Sequence, residues 1–212
     1  MTMRSFDLAA ELPLVAILRG LEPSNCVRIT QILIEEGFTM IEVPLNSPDA
    51  LTSIEILVKH FGSDYLIGAG TVTSLDKARA VIETGANLIV TPNFNQEVVE
   101  LSVAANCVTF PGVATPTEAF AALAAGATGL KLFPIQSLGL VGFKALKSVL
   151  PKETICLPVG GIGPTEESMK PYLDAGANGF GLGAALFKPG LTDDEIRANA
   201  KQFKQAFESA KG

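Results

Sequence analysis

The chain has 212 residues, of which 48% are hydrophobic and 18% charged, and a formal net charge of −6. The apolar excess excludes a disordered chain, and a chain of this length buries roughly 70% of its unfolded surface without disulfide staples. The acidic balance argues against nucleic acid or an anionic membrane as partner, so an anionic ligand has to be drawn in by local cations.

The first stretch carries no secretory pattern: its apolar run 12–18 is short and flanked by Glu11 and Arg19. No apolar run reaches the length of about 18 residues that spans a membrane. Cys26, Cys107 and Cys156 lie far apart with no CxxC spacing, which reads as reduced, structural and cytoplasmic. His60 is the only histidine. It excludes a multi-histidine metal site and reads as a surface residue near a helix end.

A pattern then recurs along the chain: EEGFTMIEVP, ETGANLIVTP, AAGATGLKLFP and DAGANGFGLG. Each copy is a helix end, a glycine that supplies a left-handed turn, and an apolar strand. The glycines are Gly37, Gly85, Gly126 and Gly176, a spacing that fits two βα units per copy. Apolar runs at 14–18, 65–69, 108–110 and 155–159 supply the intervening strands. Thr115, Pro116 and Glu118 form a capping box with proline at the first helical position. Ser24, Ser74, Asn95 and Thr165 are further cap candidates. Residues 193–211 read as an amphipathic helix whose leading Asp193, Asp194 and Glu195 suit the helix dipole.

Buried apolar strands alternating with helices predict a parallel sheet covered by helices. Eight units over residues 1–212 favour one α/β domain closed as a (β/α)8 TIM barrel, with an open doubly wound sheet as the alternative. In a barrel the chemistry sits at the C-terminal strand ends. Two residues there do not belong in apolar strands: Glu42 in MIEVP and Lys131 in GLKLFP. Both follow their repeat glycine by the same spacing. Glu42, Val90, Lys131 and Gly181 are therefore expected in one interior layer, with the bare Gly181 leaving room for a substrate.

A buried lysine loses its proton easily and as a free amine attacks a ketone to form a Schiff base. A neighbouring glutamate can move the protons that this chemistry needs. The other reading is a buried ion pair, although such pairs stabilise poorly. The segments VGGIG, with Gly160 and Gly161, and GLGAA, with Gly183 and Ala184, follow the seventh and eighth strands, where barrels commonly bind phosphate. Tight turns also use glycine. Arg19 ends the first strand, where it can hold a carboxylate or make a rim salt bridge. Thr71 ends the third and can donate to that carboxylate or cap a helix. Asn46 and Ser47 can touch a polar substrate or make the turn before Pro48. Lys144 and Lys147 read as solvated helix residues.

The segments AILRG, EVPLNSP, GAGTV, VTPN, FPGVATPTEA, LKLFP, VGGI and GLGAALF occur in this order from about residue 12 to residue 187. Together they resemble the 2-keto-3-deoxy-6-phosphogluconate and 2-dehydro-3-deoxy-6-phosphogalactonate aldolases. These are class I barrel enzymes that need no metal or other cofactor. The resemblance implies Lys131 as Schiff-base lysine and Glu42 as general acid and base. It further implies Arg19 and Thr71 at the pyruvate carboxylate, and the backbone of Gly160, Gly161, Gly183 and Ala184 at the phosphate. Gluconate-type members usually carry LRT after the second strand and Thr before the double glycine. This chain has Leu45-Asn46-Ser47 and Val159, as in the galactonate branch. Family members often have Ser where Ala184 stands here. The resemblance also implies a homotrimer, with the apolar helix face 98–103 as an available interface. The expected partners are a phosphorylated 2-keto-3-deoxy sugar acid and pyruvate. A gluconate or dual-specificity aldolase, a phosphate-binding isomerase and a phosphosugar-binding barrel are the alternatives.

Overall fold

Hydrophobic alternation sets the architecture of the computed structural model, which describes residues 11–212. In β1 (Leu14–Ile17) and β2 (Met40–Pro44), Val15 and Met40 point into one small apolar cluster, while Leu14, Ala16, Ile41 and Val43 join a larger one. The small cluster fills a barrel interior; the large one lies between barrel and helices. Side chains alternate strictly along a strand, so Glu42, two residues after Met40, is committed to the interior. The same holds for Lys131, flanked by the outward Leu130 and Leu132.

The first half continues with β3 (Leu66–Gly70), β4 (Leu88–Val90) and β5 (Val108–Phe110). Helices α1 (Cys26–Glu35), α2 (Ala50–Phe61), α3 (Leu75–Glu83) and α4 (Gln96–Ala104) connect them. A two-residue strand β6 (Gly112–Val113) follows. Then come α5 (Pro116–Ala124), β7 (Leu130–Leu132), α6 (Ile135–Lys147), β8 (Cys156–Pro158), α7 (Glu166–Asp174), β9 (Phe180–Leu182) and α8 (Asp193–Lys211).

The strands pair in parallel in the order β5-β4-β3-β2-β1-β9 and β6-β7-β8. The two arcs are one barrel. β5 and β6 are halves of the fifth barrel strand, parted by Pro111, which has no N–H for the ladder. Its carbonyl still accepts from Lys131 N at 2.9 Å. On the other side the arcs meet at the Val159–Gly181 bridge and the 3.0 Å bond from Asn178 N to Cys156 O. The sheet is therefore a closed (β/α)8 barrel, not the open alternative.

The four repeat glycines sit at φ of +99°, +82°, +90° and +95°, the left-handed helix exits their spacing implied. Thr115 makes the expected capping box, and Ser74, Asn95 and Thr165 cap their helices. Ser24 does not: Asn25 occupies the N-cap of α1, without a side-chain cap bond. Helix α6 is broken at Gly139 (φ +66°, ψ +173°), which no periodicity announced. Lys144 is exposed, but Lys147 is not simply solvated: its Nζ donates to Thr154 O at 2.6 Å and ties α6 to the approach to β8. Val98 and Val99 are fully buried in this chain's own core, so the face 98–103 is largely consumed internally. His60 is exposed at the end of α2. Among the described residues no helix is long and apolar enough to cross a membrane.

The last helix closes the shell over β9 and α1, and its first turn holds a second capping box, Thr192 with Glu195. Thr192→Ala removes the side-chain acceptor for Glu195 N and is expected to cost about 1 kcal/mol. Thermal denaturation should show the midpoint lowered by roughly 2–4 °C with activity at permissive temperature retained. An unchanged midpoint would show that α8 does not depend on this cap.

Candidate active site

Glu42 and Lys131 meet inside the barrel near its C-terminal end, 1% and 7% exposed. With Val15, Ile17, Val90, Phe110, Leu157, Val159 and Gly181 they line a narrow cavity of about 10 Å³, space for about one water. The expected layer of Glu42, Val90, Lys131 and Gly181 is thus present. One detail differs. The space over Gly181 is filled, since a β-carbon there would stand 2.7 Å from Val159 Cγ2 and 3.3 Å from Ile17 Cδ1. The bare glycine admits Val159 into the barrel mouth rather than leaving a gap.

Burial decides the protonation of both groups. Desolvation pushes the Glu42 carboxyl up to about 7, against the opposing pull of the Lys131 and Arg19 cations. Desolvation likewise holds the Lys131 amine below its ordinary value, opposed by Glu42 and helped by Arg19. Oε2 of Glu42 is buried with no hydrogen-bond partner among the described residues. Such an orphan is costly in a merely structural ion pair and suits a carboxyl that exchanges protons with a guest. Lys131 Nζ lies 4.9 Å from the centroid of the Phe133 ring, a contact that the strand pattern gave no sign of. Gly70 backs the carboxyl so closely that a β-carbon there would collide with Glu42 Oε2.

Arg19, Thr71 and Asn46 stand on the rim above. Arg19 is exposed and its Nη1 donates to Asn46 Oδ1 at 2.8 Å. It makes no ion pair among the described residues, so its charge is not neutralised by a salt bridge there. One residue on, Gly20 N donates to Ser47 Oγ at 2.9 Å. These two rungs clamp the loop carrying Arg19 to the loop after β2, and they give Ser47, buried among loop residues, a role beyond turning the chain. Thr71 adopts φ +60°, a left-handed conformation that costs a β-branched residue about 1–3 kcal/mol. It is not a helix cap, because Ser74 fills that position.

The glycine-rich loops follow β8 and β9, at the same end. Gly160 and Gly161 sit at φ +105° and +69°. After Gly183, which has open space around its α-carbon, residues 183–187 form one turn in which Leu186 N bonds Gly183 O at 2.8 Å. Among the described residues the amides of Gly161 and Ala184 donate to no backbone carbonyl, leaving donors of the kind that bind anions. Gln136 lies against Gly160 and Gly161, and nothing in the sequence pattern singled it out. Among the described residues no three His, Cys, Asp or Glu side chains cluster as metal ligands would. The barrel brings together at one end a desolvated amine, a carboxyl raised to about 7, a rim guanidinium and two glycine-rich loops.

The chain is similar to known aldolases. Residues 7–201 match the family described as KDPG and KHG aldolase. A probable 2-dehydro-3-deoxy-6-phosphogalactonate aldolase of Rhizobium meliloti is 44% identical, with 95% of this chain and 94% of that protein aligned. The 2-dehydro-3-deoxy-6-phosphogalactonate aldolase of Escherichia coli is 42% identical over 94% of this chain and 97% of its own length. A solved structure described as native KDPGal superposes with a TM-score of 0.91 at 41% identity, covering 95% of this chain and 97% of that one. From its sequence, its barrel and the family match, the chain belongs to the KDPG and KHG aldolase family, and it is a lyase.

Proposed function

We propose that this protein is a class I aldolase cleaving 2-dehydro-3-deoxy-6-phospho-D-galactonate to pyruvate and D-glyceraldehyde 3-phosphate. The observation that carries the reading is the desolvated Lys131 amine sharing a one-water cavity with Glu42. Lys131 Nζ attacks the C2 ketone, giving a carbinolamine. Glu42, through the water, protonates the departing hydroxyl, and water is lost to the protonated imine. Glu42 or its water then takes the C4 hydroxyl proton as the C3–C4 bond breaks. The bonding pair flows into the iminium, the aldehyde leaves, and the enamine is reprotonated at C3 and hydrolysed to pyruvate. With its carboxyl near 7, Glu42 populates both protonation states around neutrality, as a group that alternates between acid and base requires.

The remaining residues divide along the substrate. Arg19 and Thr71 hold the carboxylate, Asn46 steers Arg19, and the backbone at Gly160, Gly161, Gly183 and Ala184 holds the phosphate. Val159 favours the galacto epimer: its methyl groups crowd the mouth beside Gly181 and cannot bond the C4 hydroxyl. Two relatives above 40% identity carry the galactonate name, whereas a 2-dehydro-3-deoxy-phosphogluconate aldolase of Zymomonas mobilis is 30% identical over 81% of each chain. The chain acts as one catalytic domain in the cytoplasm, a setting in keeping with three free cysteines. It assembles as a homotrimer, for which Phe120, Val141 and Val149 supply exposed apolar surface.

Borohydride reduction with pyruvate should convert Lys131 to its N-(1-carboxyethyl) derivative, and Lys131→Ala should abolish the adduct. Glu42→Gln is expected to keep the fold and lose roughly 10²–10⁴-fold in turnover. Unmodified protein after reduction, or an active Glu42→Gln variant, contradicts the mechanism. Turnover of the two C4-epimeric phosphosugars should favour the galacto form; equal or reversed preference would replace the substrate assignment with a dual-specificity or gluconate enzyme. Arg19 lowers the titration of both Glu42 and Lys131. Arg19→Gln should therefore move the acid limb of the kcat/KM profile to higher pH, modestly because the guanidinium is solvent-screened, and raise KM. A limb that stays or moves to lower pH would show that its charge does not reach the pair.

A further inference from the structure

We propose that Gln136 supplies the side-chain donor of the phosphate cradle, a residue contact added to the backbone amides of the two glycine loops. The proposal rests on the reading of those loops as the phosphate site and deepens it. A β-carbon on Gly160 would stand 2.5 Å from Gln136 Oε1, and one on Gly161 would stand 2.7 Å from both Gln136 Cγ and Nε2. The glutamine is thus laid across both α-carbons, with its amide at the edge of the loop. This gives the double glycine a purpose beyond its backbone angles: any side chain at either position would displace Gln136.

The backbone beneath Gln136 is fixed to the same loop from two sides. Val159 N donates to Leu132 O at 3.0 Å, and Ile135 N donates to Val159 O at 3.0 Å. The strand bearing Lys131, the residue before Gln136 and the residue before Gly160 therefore move as one piece. These bonds set the backbone register between the strand bearing Lys131 and the residue preceding Gln136.

The amide is also available. Gln136 is exposed, and among the described residues its side-chain oxygen and nitrogen have no hydrogen-bond partner. The cradle needs such a group. Gly160, Gly161, Gly183, Ala184 and Ala185 contribute no polar side chain, and the nearby Gly163 amide is already spent on Ser168 Oγ at 2.9 Å. A carboxamide provides two N–H donors, and a donor to a charged oxygen is worth more than one to a neutral group.

The test compares kcat/KM for the phosphorylated substrate and for the same sugar acid without phosphate. It uses the wild-type protein, Gln136→Leu and Gln136→Glu. Leucine keeps the bulk over the glycines and removes the donor; glutamate keeps the shape and replaces the donor with an anion. The phosphorylated substrate should lose about tenfold with Leu, chiefly in KM, and more with Glu. The unphosphorylated substrate and the borohydride-trapped pyruvate adduct should be unaffected in both variants. A Leu variant equal to wild type on the phosphorylated substrate, or equal losses on both substrates, overturns the proposal by making Gln136 a spacer. Should the wild-type enzyme itself show no preference for the phosphorylated substrate, the phosphate reading of the loops falls, and this proposal with it.

Discussion

The folded chain accepts an energetic liability at its centre. Two ionisable side chains of opposite sign are taken out of water and placed among valines, a leucine and a phenylalanine at the mouth of the barrel. Desolvation penalties of this kind commonly exceed the attraction between the charges. Here burial shifts both groups toward their neutral forms, so the penalty appears as altered proton affinity and not as a rigid ion pair. A carboxyl that can be protonated and an amine that can be free, with space for one water, are the starting conditions for imine chemistry.

The remainder of the barrel holds that arrangement in place. Parallel strands with strict alternation deliver Glu42 from β2 and Lys131 from β7 to the same interior level, although they are far apart in sequence. Their ladder neighbours fix them separately: Glu42 lies level with Ile17 and Gly68, and Lys131 with Gly112 and Leu157. The loops at the strand ends then set what surrounds the mouth. Ser47 and Asn46 clamp the Arg19 loop, and Val159 ties the Lys131 strand to the glycine loop. These bonds tie the loops to one another and to the strands beneath them, the kind of positioning that reaction between held groups requires.

The interior layer was legible in the sequence because it depends on period alone. The same offset from a repeat glycine placed Glu42, Val90, Lys131 and Gly181 together, and an ionisable residue in an apolar strand identified itself. Contacts made by non-repeating residues were not legible. Gln136 reaches Gly160 and Gly161 only because α6 begins against Val159, and Ser47 reaches Gly20 only because two loops happen to be adjacent. The filled space over Gly181 was not legible for the same reason: pattern shows an absent side chain, while the neighbours that fill its space, Val159 and Ile17, come from elsewhere in the barrel. Ser24 as a cap failed by one residue, since cap position follows from the local backbone turn rather than from residue type.

Burial of the Lys131 amine lowers its proton affinity below the ordinary lysine range, and Glu42 opposes that shift. Nitrogen NMR titration of the Lys131 Nζ, in protein labelled at its lysine side chains, measures this directly. The midpoint is expected below the ordinary lysine value of 10.5, and lower still in Glu42→Gln because the opposing carboxylate is gone. A midpoint at or above 10.5, or one indifferent to Glu42, would contradict it.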